Sequence, residues 1–460
     1  MSNLLERVFH LNQNHTNPRT ELFAGITTFM TMAYILAVNP GILSVAGMDS
    51  GAVFTATALA SALATVIMAL LANYPFALAP GMGLNAYFAY TIVLKMGYPW
   101  QSALAAVFIE GLVFIFLSIT PVREKVFNAI PMCLKHAVSA GIGLFIAFIG
   151  LQNCGLVVSS SGTMVGVFSF SDSIAQGTFS TAGLSAMLAL IGVLMTGILV
   201  VKKVRGSILL GILATWALGI LCQLAGFYIP DPAAGFYSLL PDFSQGLTVP
   251  SLAPTFGQLD FSHLLSPDFL IVVFALLFVD VFDTLGGLIG IASEADMLDH
   301  QGRLPRMRGA LLSDALGTCV GAVLGTSTTT TFIESAAGVS VGGRTGLTGL
   351  VTGALFLLSL FLSPIFLAIP SFATAPALII VGAMILKSIS KVDFKNPLEY
   401  IPAFLCVLTV PIFYSISEGI ALGTVSYAVL HLAAGKEERR KAGPFIYVLA
   451  ILFVLKYIFL

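Results

Sequence analysis

The chain has 460 residues, of which 57% are hydrophobic and only 9% are charged. Soluble domains carry a charge on about one residue in four, so this composition excludes a soluble globular protein and a disordered one. The formal net charge of −1 gives no positive field that would attract nucleic acid. A bilayer accepts such a chain, because an apolar helix of about 20 residues crosses its hydrocarbon core. We therefore predict an all-α, polytopic membrane protein.

Residues 1–20 are polar and contain no apolar run followed by a cleavage site, so we expect the first apolar helix to direct insertion. Fourteen apolar segments follow, and each is interpreted as one crossing. The segments are 21–40, 51–72, 76–95, 100–120, 134–151, 183–202, 206–227, 268–291, 308–325, 327–341, 346–363, 372–388, 398–414 and 416–434. A further apolar stretch, 444–460, is left unassigned.

The distribution of basic residues supports fourteen crossings with a cytoplasmic N-terminus. With this topology, all of the 21 Lys and Arg residues except Lys95 and Lys456 fall on the cytoplasmic side. The two longest polar connections, 152–182 and 228–266, contain neither Lys nor Arg and are expected outside. Seven crossings in each half would place the two halves in opposite orientations, as an inverted repeat.

Two of the segments are expected to be broken helices. Segment 76–95 contains Pro80 and Gly81, and segment 327–341 begins with the run Thr328–Thr331, which favours extended backbone. Each predicted half-helix is too short to cross the membrane, and its N-terminal N–H groups would be available to a polar ligand. Asn85 and Glu334 lie close to these two expected N-termini.

Acidic residues inside apolar segments are the main candidates for function, since a carboxylate in the bilayer needs a partner or a purpose. Asp280 and Asp283 lie three residues apart and are expected on one helix face with Thr284, where they could bind and release a proton. Glu334 is the third candidate. For three other acids, Glu110, Asp314 and Glu418, we favour structural roles, and Asp314 could hydrogen-bond the unwound part of segment 327–341.

Other chemistry lacks its residues in this sequence. The five cysteines are scattered without metal-ligand spacing, so they are interpreted as buried apolar residues, and no metal site is predicted. Motifs for nucleotide binding, zinc proteolysis and serine hydrolysis are absent, so no cofactor is expected other than H⁺ as a coupling ion. An intramembrane aspartyl enzyme is a remote alternative, because two aspartates three residues apart on one helix are poorly placed to grip one water.

Four motifs together resemble the AzgA-like hypoxanthine, adenine and guanine permeases of the nucleobase/ascorbate transporters (nucleobase:cation symporter-2 superfamily). They are FAGITTFMTMAYILAVNP at 23–40, APGMGLNAYFAY at 79–90, FVDVFDTLGGLIG at 278–290 and TSTTTTFIESAAGVSVGGRTGLTG at 326–349. The resemblance implies a purine-importing proton symporter of the plasma or inner membrane, with purine and membrane lipid as partners and no nucleic acid. It also implies a homodimer. Hypoxanthine and guanine are favoured, adenine is possible, and a uracil, xanthine or other anion carrier of the same fold is the alternative.

The resemblance further implies an elevator-like fold of seven plus seven helices, in which a core domain carries substrate past a gate domain. The implied parts are a cytoplasmic N-terminus (1–20), core (21–120), gate (134–227), extracellular connection (228–267), core (268–363), gate (372–434), and a basic linker with the C-terminal apolar segment (435–460).

The positions that match the family's motifs imply which residues form the site. Asn85, Asp280 and Glu334 would bind substrate, and Asp280 and Asp283 would couple or support proton transfer. Asp314, which lies outside the matched motifs, is a further candidate for a supporting role. Phe332 and Tyr87 are proposed to stack on the purine ring, although aromatic residues at such positions are more often part of the core.

Overall fold

A computed structural model describes residues 2–120, 131–160, 162–231, 235–244, 246–264, 266–294, 297 and 304–459. The predicted cytoplasmic residues Arg123, Lys125 and Arg303 lie outside these ranges. The first half begins with α1 (Ser2–Phe9), α2 (Pro18–Met32), α3 (Ile35–Ser44), α4 (Ser50–Leu71), β1 (Leu78–Pro80) and α5 (Met82–Ala86), which runs into π-helical turns (Tyr87–Lys95). It continues with α6 (Trp100–Ile119), α7 (Met132–Asn153), β2 (Val157–Ser160), β3 (Met164–Val167), α8 (Phe170–Ala175), π-helical turns (Phe179–Gly183), α9 (Leu184–Val201) and α10 (Ser207–Leu224).

The second half begins after the connection that follows α10. It contains α11 (Pro267–Glu294), α12 (Met307–Leu324), β4 (Thr329–Thr331), α13 (Ser335–Val341), α14 (Gly346–Ser359), a 3₁₀ turn (Leu360–Leu362), α15 (Ser363–Leu367), α16 (Ser371–Leu386), a 3₁₀ turn (Lys387–Lys391), α17 (Pro397–Phe413), α18 (Ile416–Ala433) and α19 (Lys436–Phe459). Within the described ranges, ten helices are long and apolar enough to cross a membrane, which supports a multi-pass membrane protein. The count of fourteen crossings stays a prediction.

Local sequence explains where several helices start. The Asn17 side chain accepts a hydrogen bond from the Thr20 N–H, and Pro18 occupies the first position of α2, where its missing N–H costs nothing. The Asp49 carboxylate caps α4 by accepting from the Ala52 N–H at 2.7 Å. Gly443, at φ 73°, separates the basic start of α19 from its apolar remainder.

The two short strands β1 and β4 pair with each other in the protein interior. They are antiparallel, with Ala79 opposite Thr330, and all six residues are buried. Main-chain hydrogen bonds extend the pairing at both ends, from Gly81 N–H to Thr328 O and from Phe332 N–H to Ala77 O, each 3.0 Å long. Each strand leads into a short helix, α5 or α13, so the pairing places the starts of these helices near each other.

The long helices pack in two sets. One set consists of α2, α4, α6, α11, α12, α13 and α14, and the other of α7, α9, α10, α16, α17 and α18. Small residues allow close approach within each set: a Cβ added at Gly143 of α7 would lie 2.6 Å from the Gly382 carbonyl oxygen of α16. The strand pair belongs to the first set, where β1 contacts α4 and β4 contacts α12.

Candidate functional site

Asn85 lies in the last turn of α5, just after the strand pair, and its side chain is completely buried. Its Oδ1 accepts a hydrogen bond from the Ser327 hydroxyl, which precedes β4. Its Nδ2, which can donate two hydrogen bonds, has no partner among the described residues. Buried donors are rarely left unpaired, so this amide is a candidate for contact with a ligand.

Asp280 lies on α11 within a buried network of hydroxyl groups and carboxyl groups. The Thr284 Oγ1 is 3.4 Å from Asp280 Oδ1, 2.8 Å from Asp314 Oδ2 and 2.9 Å from Thr330 Oγ1. Thr331 donates to the other oxygen of Asp314 at 3.3 Å. Asp314 therefore connects α12 to both α11 and β4, and it contacts the extended part of segment 327–341 as the sequence analysis expected.

Glu110 on α6 belongs to the same network, although the sequence analysis favoured a purely structural role for it. Its Oε2 accepts a hydrogen bond from Thr328 at 3.3 Å, and its carboxyl group lies beside that of Asp280. Glu110 Oε1 and Asp280 Oδ2 receive no hydrogen bond from a hydroxyl or N–H group of the described structure, but the two carboxyl groups can share a hydrogen bond when one of them is protonated. The network thus contains a buried pair of carboxyl groups that could hold a proton between them.

Asp283 and Glu334 form a second, more accessible part of the site. Asp283 is exposed whereas Asp280 and Thr284 are fully buried, although Asp283 stays close enough to Asp280 for the two charges to interact. The difference in exposure follows from helix geometry, because the third residue along falls about 60° short of a full turn and the fourth about 40° beyond it. Glu334 is half-buried at the start of α13, near enough to Asp283 for the two charges to interact. Tyr34 donates to Glu334 Oε1 at 2.6 Å.

The two aromatic candidates are both buried. Phe332 follows β4 and its ring centroid is 6.4 Å from that of Tyr34, with an angle of 43° between the planes. Tyr87 begins the π-helical turns after α5, and its hydroxyl has no hydrogen-bond partner among the described residues. Their stacking role stays a prediction.

No basic side chain neutralises these acids in the part of the chain that the structure describes. The one ion pair found there joins Lys441 to Glu438, on the polar start of α19. The same residues contain no group of three or more His, Cys, Asp or Glu side chains arranged to hold a metal ion. Carboxyl groups buried without counter-charges are costly when ionised, so protonation would lower the cost of burying them.

The residues that hold the candidates in place were not predicted from the sequence. Tyr34, Ser327 and Thr328 contact Glu334, Asn85 and Glu110, respectively. The only available signal was that Tyr34 lies in the motif at 23–40 and that the other two lie in the motif at 326–349.

Comparisons with known proteins agree on a transporter. The family model Xan_ur_permease, described as "Permease family", matches residues 19–422. The guanine/hypoxanthine permease PbuO of Bacillus subtilis is 43% identical over 453 residues, which are 98% of this chain and 99% of PbuO. The adenine permease AdeP of Escherichia coli is 39% identical over 457 residues, which are 99% of this chain and 96% of AdeP.

A solved structure supports the fold. The transmembrane domain of the cyanobacterial bicarbonate transporter BicA superposes with a TM-score of 0.61, covering 87% of this chain and 96% of that domain. The sequence identity is 16%, so this likeness describes the fold alone.

Proposed function

Because this chain belongs to the nucleobase/ascorbate transporter family of permeases, we propose that it imports purine nucleobases by proton symport. The family resemblance inferred from the four motifs is confirmed, as is the expectation of a transporter rather than an enzyme. The names of the relatives support guanine, hypoxanthine or adenine as substrate. Hypoxanthine and guanine remain the favoured pair.

The observation that carries the proposal is the set of buried polar atoms around the strand pair. Asn85 Nδ2 is a donor without a partner in the described structure, and Asp280 Oδ2 and Glu110 Oε1 belong to neighbouring carboxyl groups that share a hydrogen bond when one is protonated and accept hydrogen bonds when ionised. A purine offers ring nitrogens that accept hydrogen bonds and ring N–H groups that donate them, so its edge complements both kinds of atom. Purine binding would satisfy the Asn85 Nδ2 donor, which is otherwise buried without a partner in the described structure.

Proton coupling is proposed from the absence of counter-charges described above. A proton bound by the Asp280–Glu110 pair, or by Asp283, would remove the repulsion between neighbouring acids and allow a neutral base to bind. Release of the proton inside would restore that repulsion and weaken purine binding. An inward proton gradient would then drive accumulation of the base.

The proposed movement uses the two sets of helices. The set containing β1 and β4 would be the core domain that carries the base, and the other set would be the gate domain. Fourteen crossings in two inverted halves, two broken helices, a cytoplasmic N-terminus and a homodimer complete the proposal. The inverted arrangement of the two halves is supported by the pairing of two strand–helix units, one from each half of the chain.

The test is uptake of labelled hypoxanthine by cells that lack their own purine permeases, with and without a protonophore. Unlabelled guanine, adenine, xanthine and uracil serve as competitors. We expect accumulation that collapses with the protonophore and is blocked by guanine. Asp280→Asn should abolish uphill uptake, and Asp172→Asn, which changes an exposed acid in the first turn of α8, should not.

The outcomes separate the alternatives. Competition by uracil or xanthine but not guanine would assign another substrate class. Uphill uptake by the Asp280→Asn variant with unchanged proton dependence would show that Asp280 does not couple transport to protons.

A further inference from the structure

A large cavity lies away from the acidic network, at the end of the second helix set. It measures about 620 Å³, within the range of small-molecule sites. Its walls are the C-terminal end of α7, the start of α9, the segment 235–239 that follows α10, and residues 367–372, from the end of α15 to the start of α16. The connections at this end include 152–182 and 228–266, which contain no Lys or Arg, so the positive-inside rule places the cavity on the outer side.

The lining of this outer cavity is aromatic and uncharged. Five aromatic side chains contribute to it: Phe168, Tyr228, Phe236, Tyr237 and Phe372. None of its described lining residues is Asp, Glu, Lys or Arg. Aromatic walls without a charge favour a flat, neutral ring over an ion, because the ring can stack without paying for desolvation of a charge.

Polar groups of the cavity can orient such a ring. Ser185 is 6% exposed, and its Oγ has no hydrogen-bond partner within the described structure. Gln152 and Asn153 also line the cavity, and each carries an amide able to donate and accept. A site with stacking surfaces and a few amide and hydroxyl groups is typical of recognition of a nucleobase edge.

The cavity is also connected to the candidate substrate site. Asn153 Oδ1 accepts a hydrogen bond from the Tyr90 hydroxyl at 3.0 Å. Tyr90 lies in the π-helical turns that continue directly from α5, the helix that carries Asn85. A ligand in the cavity would therefore lie next to the element that presents Asn85.

We propose that the outer cavity is a second, external binding site for a neutral purine nucleobase, which is occupied before the base reaches the acidic network. This inference rests on the proposed function, because it takes the transported base as its ligand. The two sites differ in chemistry: the outer one is uncharged and independent of protonation, whereas the inner one combines the Asn85 amide with carboxyl groups.

Trp216 provides a probe of the outer site. Its Nε1 donates to the carbonyl oxygen of Leu239 at 2.9 Å, and Leu239 lines the cavity. The chain has only two tryptophans, so Trp100→Phe leaves Trp216 as the sole one. Full-length protein in nanodiscs would be titrated with hypoxanthine, and Trp216 fluorescence and calorimetric stoichiometry would both be followed.

We expect two equivalents of hypoxanthine per chain, and saturable quenching of Trp216 that persists in an Asp280→Asn background. Ser185→Phe should fill the cavity, abolish the quenching and remove one equivalent. Leu190→Phe is the matched control, because Leu190 lies on the same helix but is 45% exposed on its outer surface. Tyr237→Ala is a second variant that spares packing, since Tyr237 is 67% exposed, and it should weaken the quenching.

One equivalent in wild-type protein, with quenching that disappears in Asp280→Asn and is unchanged in Ser185→Phe, would overturn the outer site and leave the proposed function intact. Quenching by brominated phospholipid but not by hypoxanthine would also overturn it, by assigning the cavity to lipid. Failure of the wild-type protein to bind or transport any purine would instead remove the proposed function.

Discussion

Single hydroxyl groups stabilise the acidic network, because each one can donate one hydrogen bond to a buried oxygen and accept hydrogen bonds from neighbouring groups. Thr284 is the central example, since its hydroxyl contacts Asp280, Asp314 and Thr330. Thr284→Val keeps the shape of the side chain but removes these hydrogen bonds. We expect a loss of about 1–3 kcal/mol in the free energy of unfolding, together with loss of uptake. Thermal unfolding of purified protein and hypoxanthine uptake would measure the two effects.

Two control variants distinguish the loss of the network hydrogen bonds from the loss of any buried hydroxyl group. Thr284→Ser retains the hydroxyl and should restore most of the uptake. Thr196→Val removes a buried hydroxyl that bonds only to the Gly192 carbonyl in what the structure describes, within α9. Equal loss of uptake in Thr196→Val and Thr284→Val would contradict a specific role for Thr284.

Tyr34 is predicted to orient Glu334 toward substrate. Its hydroxyl donates to Glu334 Oε1 at 2.6 Å, which leaves the other oxygen of the carboxyl group to accept from a purine N–H. Tyr34→Phe removes a hydrogen bond to a charged group, worth about 1.5–3 kcal/mol, so KM for hypoxanthine should rise about tenfold or more. Tyr98→Phe is the control, because the Tyr98 hydroxyl contacts only Ser266 among the described residues. An unchanged KM in Tyr34→Phe would show that the hydrogen bond from Tyr34 to Glu334 does not contribute to substrate binding.

At the scale of elements, α14 depends on an acid from a distant part of the chain. Glu21 on α2 is fully buried, and its carboxyl group accepts from the N–H groups of Arg344, Thr345 and Thr348 at the start of α14. A negative charge at a helix N-terminus is favourable, which explains how an acid is buried here without a basic partner in the described structure.

Glu21→Ala should therefore destabilise the protein without changing substrate affinity. Three N–H groups would lose their acceptor, so we expect the midpoint of thermal unfolding to fall by several degrees while KM for hypoxanthine stays the same. Glu21→Gln, which keeps one acceptor oxygen, should lie between the two proteins. Glu437→Ala, at the exposed start of α19, is the control. A raised KM in Glu21→Ala with unchanged thermal stability would show that Glu21 acts on the site instead.

Element positions were largely readable from the sequence, whereas contacts between elements were not. Pro80 and Gly81 indicated an interruption before Asn85, and the Thr328–Thr331 run indicated extended backbone, because these residue types act locally. The pairing of β1 with β4 joins distant parts of the chain, and no local rule specifies such a register. The π-helical turns after α5 were also unpredicted, since their sequence is as apolar as an ordinary helix.

The residues of the site divide in the same way, into those with a local sequence signal and those that depend on contacts between distant elements. Asn85, Asp280 and Glu334 were identified because polar residues in apolar segments need a reason to be there. Ser327 and Tyr34 were not, because they lie 242 and 300 residues from the groups they contact. Glu110 was underestimated because its importance comes from the neighbouring Asp280, which only the packing of α6 against α11 brings close.

At the scale of the whole molecule, the proposed mechanism requires the two helix sets to move past each other. Because tight contacts between the sets would hinder this movement, we expect few of them. Gly83 of α5 and Ile142 of α7 form one such contact, since a Cβ added at Gly83 would lie 2.5 Å from Ile142 Cγ2. Gly83→Ala should overpack this boundary by about 1–3 kcal/mol and slow uptake about tenfold, while KM changes little.

Ile142→Ala should restore the uptake rate of Gly83→Ala, because it removes the methyl group that the new Cβ would meet. The single and double variants together form a cycle whose coupling energy measures the contact directly. Gly41→Ala is the control, because a Cβ added at Gly41 meets nothing within 4 Å. Two outcomes would contradict this prediction: Gly83→Ala could transport at the wild-type rate, or Ile142→Ala could fail to rescue a slow Gly83→Ala. Either result would show that α5 and α7 do not move past each other during transport. The proposed division into a moving core and a fixed gate would then have to place α5 and α7 in the same body.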